Sequence, residues 1–368
     1  MIPIASPELG PEEQQRVADV IESGYLADGP EVRAFEEEFA TYCDADHGVA
    51  TSNGTTALHA AFEALDIGPG DRVATTPFSF IASANAIRLT GAEPVFLDID
   101  PKTYNLDPDE LEAALRDGEQ IDAVLAVHLY GLPAEMPRFV ELAEEYDFAL
   151  VEDAAQAHGA KIDGQPVGSF GDAACFSFYP TKNMTTGEGG MVVTNHRDVA
   201  EGVAEYINHG RSNAYGGSSS YEHVSVGHNF RLTSLGAAIG RAQLEKLPRF
   251  VEARQRHAGK LNELLEDSSV TTPYTPDGYE HSFHQYTVRT DDRDGLQETL
   301  DEHGVGSGIY YPVPIHQQKP YADLGHTAPN AEVAATEALS LPVHPALSAD
   351  DLEVIADAVL AHGEEVMA

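Results

Sequence analysis

Short β-rich runs recur along the first half of this chain, at Arg72 to Thr76, Pro94 to Ile99, Ala123 to Leu129, Phe148 to Val151, Ala173 to Phe178 and Gly190 to Thr194. Several are apolar throughout instead of alternating, as strands covered on both faces must be. Helical patterns lie between them. Val32, Phe35 and Phe39 recur at helical spacing, as do Leu58, Ala61, Phe62 and Leu65, and further patterns span Leu111 to Leu115 and Phe139 to Tyr146. Helices alternating with buried strands predict an α/β fold around a central, mostly parallel sheet. Near Pro248 the pattern changes: a helical stretch from Leu235 to about Leu265 is interrupted there, the alternating strand His284 to Arg289 follows, and the chain ends on an amphipathic helix carrying Leu352, Ile355, Ala356 and Val359. A length of 368 residues exceeds one typical domain. The expectation is a large domain over 1–250, including the N-terminal segment, and a smaller C-terminal α+β domain over 251–368.

Charge narrows the partners. The 61 acidic residues outnumber the 21 lysines and arginines, giving a net charge of −40, and the acids are scattered along helices such as Asp109-Glu-Leu-Glu112. A solvated acidic surface of this kind resembles that of halophilic proteins, whose dense counter-ions screen the self-repulsion. No basic stripe exists to neutralise phosphates, which argues against nucleic acid as a partner. Cys43 and Cys175 sit in apolar surroundings and read as buried thiols, with neither a disulfide framework nor a metal site expected. The N-terminus lacks a basic region followed by an apolar core, and no apolar run approaches membrane-spanning length, so a soluble cytoplasmic protein is expected.

Chemistry is concentrated around Lys182. It lies between the apolar run Cys175-Phe-Ser-Phe178 and the turn Gly187-Glu-Gly-Gly190, in a chain with few lysines. A Schiff-base lysine needs rigid delivery, a flexible stem and a proton it loses easily, and glycines let backbone approach a bulky cofactor. Strand, loop and hairpin alone are the plain alternative. Asp153 falls at a strand end, where ligands of open α/β sheets bind, with Gln156 three residues on. A carboxylate there caps a helix, binds magnesium, or pairs with a cationic ring nitrogen. Asn53-Gly54-Thr55-Thr56 opens a helix, either as an ordinary N-cap or as a phosphate site, and the hydroxyl of Ser177 is placed to join it. Phe78 and Phe80 are core aromatics or faces for a flat ring, with Phe78 leaning to the core.

Together, Gly54-Thr55, Phe80, Glu152-Asp153-Ala-Ala-Gln156, Ser177-Phe-Tyr-Pro-Thr-Lys182, Gly187-Glu-Gly-Gly190 and Gly227-His-Asn-Phe-Arg231 resemble the DegT/DnrJ/EryC1/StrS aminotransferases in order and over nearly the whole chain, beginning at Ser23-Gly-Tyr-Leu-Ala-Asp-Gly-Pro30. The resemblance implies a type I aminotransferase fold and pyridoxal 5'-phosphate as cofactor. It further implies a homodimer with shared active sites, glutamate as amino donor, and a nucleotide-linked keto sugar as acceptor. By the same resemblance Lys182 carries the Schiff base and moves the proton, Asp153 pairs with the ring nitrogen, and Gln156 faces the ring oxygen. Phe80 stacks on the ring, Gly54, Thr55 and Ser177 hold the phosphate, and Asn229 reaches it from the partner subunit. Arg231, like Arg211, either serves a substrate carboxylate or simply pairs with surface acids. The segment Tyr310-Tyr-Pro-Val-Pro-Ile-His316 is similar to that of members aminating C3 of the sugar, making Tyr311 and His316 acceptor-site candidates and 3-amination favoured over 4-amination. A dehydratase relative would carry histidine in place of Lys182. A non-catalytic regulatory relative binding the cofactor or a nucleotide sugar is the alternative.

Overall fold

The computed structural model describes residues 1–212, 215 and 221–367. In chain order the strands are β1 (His47–Thr51), β2 (Arg72–Thr75), β3 (Glu93–Phe96), β4 (Ala123–Val127), β5 (Ala149–Asp153), β6 (Lys161–Ile162), β7 (Gln165–Pro166), β8 (Ala173–Ser177), β9 (Gly190–Thr194), β10 (Tyr279–Glu280), β11 (Tyr286–Arg289) and β12 (Ala338–Leu341). Seven of them form one sheet in the order β1-β9-β8-β5-β4-β2-β3. The pairs from β3 through β8 are parallel, because helices such as Met136–Tyr146 carry the chain back across a face between strands. β9 runs antiparallel to both neighbours, since the connection 178–189 returns directly from β8 without a crossover. That connection carries Lys182.

Burial on both faces explains the unbroken apolar runs. All five residues of β4 are buried, and cores cover both faces of the sheet: Phe62, Val73, Leu125 and Val192 belong to one, Phe35, Phe39, Phe176 and Val193 to another, and Val95, Val124 and Leu150 to a third. Alternate residues of β9 thus serve opposite cores. β1 was not anticipated, because His47-Gly-Val-Ala-Thr51 is short and contains glycine. Gly48 is required there: a Cβ would lie 2.5 Å from the Glu36 carbonyl oxygen.

The helix around Pro248 differs from expectation. It runs unbroken from Ser234 to Leu264. Proline removes one hydrogen bond at a cost of about 3 kcal/mol, but Leu247, Phe250 and Val251 beside it are buried and hold the helix together through that point. The expected boundary at residue 250 falls inside this helix. Its C-terminal half contributes Ala258 and Leu261 to a separate core with Tyr286 and Val288 of β11, Leu339 and Leu341 of β12, and Ile355 and Val359 of the final helix Ala349–Met367. Ile2 bridges to Val305 and packs on the same core, so the first residues of the chain join its last section. Both cysteines are buried and unbridged. Among the described residues no helix is long and apolar enough to cross a membrane, and no group of three or more histidine, cysteine or acidic side chains is placed to hold a metal.

Candidate active site

At the carboxyl ends of β4, β5 and β8 lies a cavity of about 820 Å³, where ligands of open α/β sheets bind. Lys182 enters from the connection after β8. Its backbone N–H donates to Tyr179 O (2.9 Å), Asn183 Nδ2 donates to Ser282 O (3.0 Å), and Thr185 Oγ1 and Thr186 N both donate to Phe178 O (2.8 and 3.0 Å). These bonds staple the loop, leaving the lysine stem as the part free to move. Burial pushes the Lys182 amine down to about 8, with the Asp153 carboxylate opposing the shift.

Asp153 ends β5 on the cavity wall. Burial raises its pKa; opposing that, Ser83 Oγ donates to Oδ2 at 2.7 Å and Ala155 N to Oδ1 at 3.2 Å. No helix starts at Asp153, so the cap reading does not hold. Beside it, β8 and β9 pair Ser177 with Gly190, and Gly190 faces Thr51 of β1. The helix Gly54–Ala64 begins over this edge. Asn53 caps it, Oδ1 accepting from Thr56 N at 2.9 Å, while Gly54 and Thr55 line the cavity. Packing permits no side chain at two points: a Cβ on Gly54 would lie 2.7 Å from Ser177 Cβ, and one on Gly190 would lie 2.4 Å from Asn53 O. First-turn N–H groups lack intrahelical acceptors, so helix start, Ser177 hydroxyl and bare backbone form a cradle for an anion.

The two phenylalanines part company. Phe78 is fully buried in a core with Tyr104 and Tyr130, whereas Phe80 is 56% exposed on the cavity wall, its ring 6.2 Å from that of Tyr311. Gln156 accepts from Tyr130 N through Oε1 (2.9 Å), which turns Nε2 toward Tyr311 Oη (3.2 Å). The donor end of the amide therefore faces Tyr311, which itself lines the cavity.

Other predicted residues stand apart from this cavity. Asn229 is exposed, on a segment bridged to Asn208. Arg231 donates from Nη1 to Asn208 Oδ1 at 2.5 Å and lines a small separate cleft with Val32 and Asn208. The Arg211 guanidinium lies 5.5 Å from the centre of the Tyr221 ring. His316 is buried, with Nε2 3.0 Å from Glu332 Oε1, and does not enter the cavity of its own chain. Conversely Ser83, Tyr130, His284, Gln285 and Tyr310 line the cavity without having been anticipated. Tyr310 adjoins the predicted Tyr311, and the fold brings the other four there with nothing local in sequence to mark them.

A dry support lies behind Asp153. Glu152 and His128 are both fully buried, with Glu152 Oε2 3.0 Å from His128 Nε2. Glu152 also accepts from the N–H groups of Gly168, Phe170 and Gly171 (2.8–3.0 Å), and His128 Nδ1 accepts from Ala134 N at 2.9 Å, which leaves the His128 proton on Nε2. Burial acts to raise the Glu152 pKa, yet His128 and these N–H groups hold it below the ordinary carboxylate value. His158, packed against Phe39, Phe176 and Phe178, is pushed down to about 3 by burial and by the Lys182 charge, so it stays neutral.

Pyridoxal 5'-phosphate fits this chemistry: an amine that loses its proton near neutrality, a buried carboxylate for a cationic ring nitrogen, an exposed aromatic face, and an anion cradle lining the same cavity. Fold and site together define a pyridoxal-phosphate-dependent aminotransferase. Residues 7–360 match the model of the DegT/DnrJ/EryC1/StrS aminotransferase family, and the chain belongs to it. It is 42% identical to a "Pleiotropic regulatory protein" of Geobacillus stearothermophilus, over 96% of this chain and 94% of that one. It is 40% identical to a UDP-N-acetyl-3-dehydro-α-D-glucosamine 3-aminotransferase of Acidithiobacillus ferrooxidans, over 93% and 91%. Among solved structures, S. venezuelae DesV in complex with a ketimine intermediate superposes with a TM-score of 0.91 at 38% identity, over 96% of this chain and 94% of that one.

Proposed function

We propose that this enzyme moves an amino group from glutamate to the 3-keto group of a nucleotide-linked sugar, as a homodimer whose chains share each active site. The observation that carries the reading is the meeting of Lys182 and Asp153 in one large cavity. The 3-aminotransferase relative supports the acceptor and the position aminated. Pyridoxal phosphate, when bound, supplies a carbonyl that takes up the amino group and a ring that draws electrons from the adjoining carbon. Asp153 keeps a proton on the ring nitrogen, Gln156 donates to the ring oxygen, and Phe80 covers one ring face. Gly54, Thr55 and Ser177 hold the phosphate. Lys182 Nζ, with its pKa near 8, has a neutral fraction at neutral pH; it would take the proton from the α-carbon of the donor and pass it to the cofactor, and in the second half of the cycle carry a proton from the cofactor to the sugar carbon. Stapling of its loop limits that travel to the side chain.

Asn229 and Arg231, which stand outside the cavity of their own chain, are assigned to the cavity of the partner subunit. Tyr311 is assigned to the acceptor sugar; His316, paired with Glu332 and outside the cavity of its own chain, is given no part in it. The charge of −40 supports a salt-rich cytoplasm as the working environment. A regulatory role is the second reading, favoured by the name of the 42%-identical relative, but a sensor has no need to retain Lys182 and Asp153 together. Incubation of the loaded enzyme with glutamate and UDP-N-acetyl-3-dehydro-α-D-glucosamine, with mass spectrometry of the products, tests the proposal. The 3-amino sugar nucleotide is expected; its absence beside amination of a 4-keto nucleotide sugar would overturn the assigned position.

A further inference from the structure

Behind the acceptor side of the cavity, one buried residue makes bonds in three directions. Tyr130 is 3% exposed and follows His128 out of β4 in a left-handed conformation, φ 58°, that a bulky residue adopts only when its surroundings impose it. Its ring is fixed edge-on between Phe78 and Tyr104, with centroids 6.4 and 5.7 Å away. Its N–H donates to Gln156 Oε1 (2.9 Å), its carbonyl accepts from Gln285 N (3.1 Å), and its hydroxyl donates to the carbonyl of Tyr310. Gln156 in turn donates to Tyr311 Oη. The bonds close a circuit: Tyr130 to Gln156, Gln156 to Tyr311, and Tyr310 back to Tyr130.

We propose that Tyr130 is a positioning residue for the acceptor, its hydroxyl tying the Tyr310–Tyr311 loop to the large domain while its backbone turns the Gln156 amide toward the cavity. The proposal rests on the assignment of Tyr311 to the acceptor sugar. The circuit has a specific consequence. Gln156 faces the cofactor side and Tyr311 the sugar side, so a displaced Tyr310–Tyr311 loop would move the sugar relative to the reacting carbon without loosening the phosphate cradle or the Lys182 loop. Gly131, at φ 100°, makes the junction tight: a Cβ there would lie 2.7 Å from Ser282 Oγ and 2.8 Å from His284 N. Segment 282–285 therefore packs directly on this backbone, with Ser282 N donating to Gly131 O at 2.9 Å.

Tyr130→Phe removes the hydroxyl and keeps the ring, and Tyr104→Phe is the control, since that hydroxyl lies outside the circuit. Hydrogen exchange measured by mass spectrometry on the full-length holoenzyme is expected to be about tenfold faster over residues 308–316 in Tyr130→Phe, the size of one lost net hydrogen bond, and unchanged there in Tyr104→Phe. The KM for UDP-N-acetyl-3-dehydro-α-D-glucosamine should rise by a similar factor, with the KM for glutamate and the cofactor spectrum unaltered. Unchanged exchange over 308–316 would overturn the proposal, and so would faster exchange throughout the chain with parallel loss of both KM values, the mark of a structural role. The exchange measurement uses no sugar, so it decides on the tie even if the acceptor assignment fails on the wild-type enzyme.

Discussion

Replacing Ser83 with alanine deletes one hydroxyl, and its effect falls on Asp153. The carboxylate is deeply buried, which raises its pKa, and the 2.7 Å bond from Ser83 Oγ is the largest influence holding that pKa down. A hydrogen bond to a charged acceptor contributes about 1.5–3 kcal/mol, and one pKa unit corresponds to about 1.4 kcal/mol. The variant should therefore carry an Asp153 pKa about one to two units higher. The sign follows from the partner: a protonated, cationic ring nitrogen is held by the ionised carboxylate, so cofactor affinity falls as pH drops through the Asp153 pKa. In Ser83→Ala that fall begins about one to two pH units higher, while affinity well above it matches the wild type. Titration of the apoenzyme with pyridoxal phosphate, followed by absorbance at a series of pH values, reads this directly, with circular dichroism confirming the fold at each. An acid limb in the same place, or an equal loss of affinity at every pH, would refute the reasoning.

Three further expectations concern Lys182 and its support. Lys182→Ala should abolish turnover while the protein remains folded, and turnover by that variant would remove Lys182 from the mechanism. Because burial depresses the amine to about 8, the rate at which apoenzyme captures added pyridoxal phosphate should rise with pH along one ionisation near 8; a midpoint at the ordinary lysine value would show the amine to be solvated. His128→Ala should destabilise the fold by about 1.5–3 kcal/mol in urea titrations, since it removes the Nε2–H donor from a charged and fully buried Glu152. A loss under about 1 kcal/mol would mean water reaches Glu152.

Much of the large sheet could be read in advance, because strands covered on both faces leave continuous apolar runs such as Ala123 to Val127, and such runs need no knowledge of their neighbours. Lys182, Asp153 and the Asn53–Thr56 helix start were legible for a related reason: each sits next to its strand or helix in sequence, and the fold merely places those ends side by side. What stayed hidden depends on contacts across the chain. Ser83 reaches Asp153 from 70 positions away, and the hydroxyl of Tyr130 meets the Tyr310 carbonyl 180 positions on. Pro248 misled for the opposite reason. Its local cost is real, but burial of Leu247, Phe250 and Val251, which continue the helical spacing of Leu244 through the proline, outweighs it. His316 illustrates the limit of reading a loop by resemblance: its ring pairs with Glu332 and does not line the cavity of its own chain.

In the proposed reaction Lys182 and Asp153 act with bound pyridoxal phosphate to carry an amino group from glutamate to a 3-keto nucleotide sugar. The most direct test is the absorption spectrum of the loaded protein in high salt, recorded on adding glutamate and then UDP-N-acetyl-3-dehydro-α-D-glucosamine. A visible band that glutamate bleaches and the sugar restores is the expected result. A band indifferent to glutamate, or one bleached by glutamate and left bleached by the sugar, would contradict it.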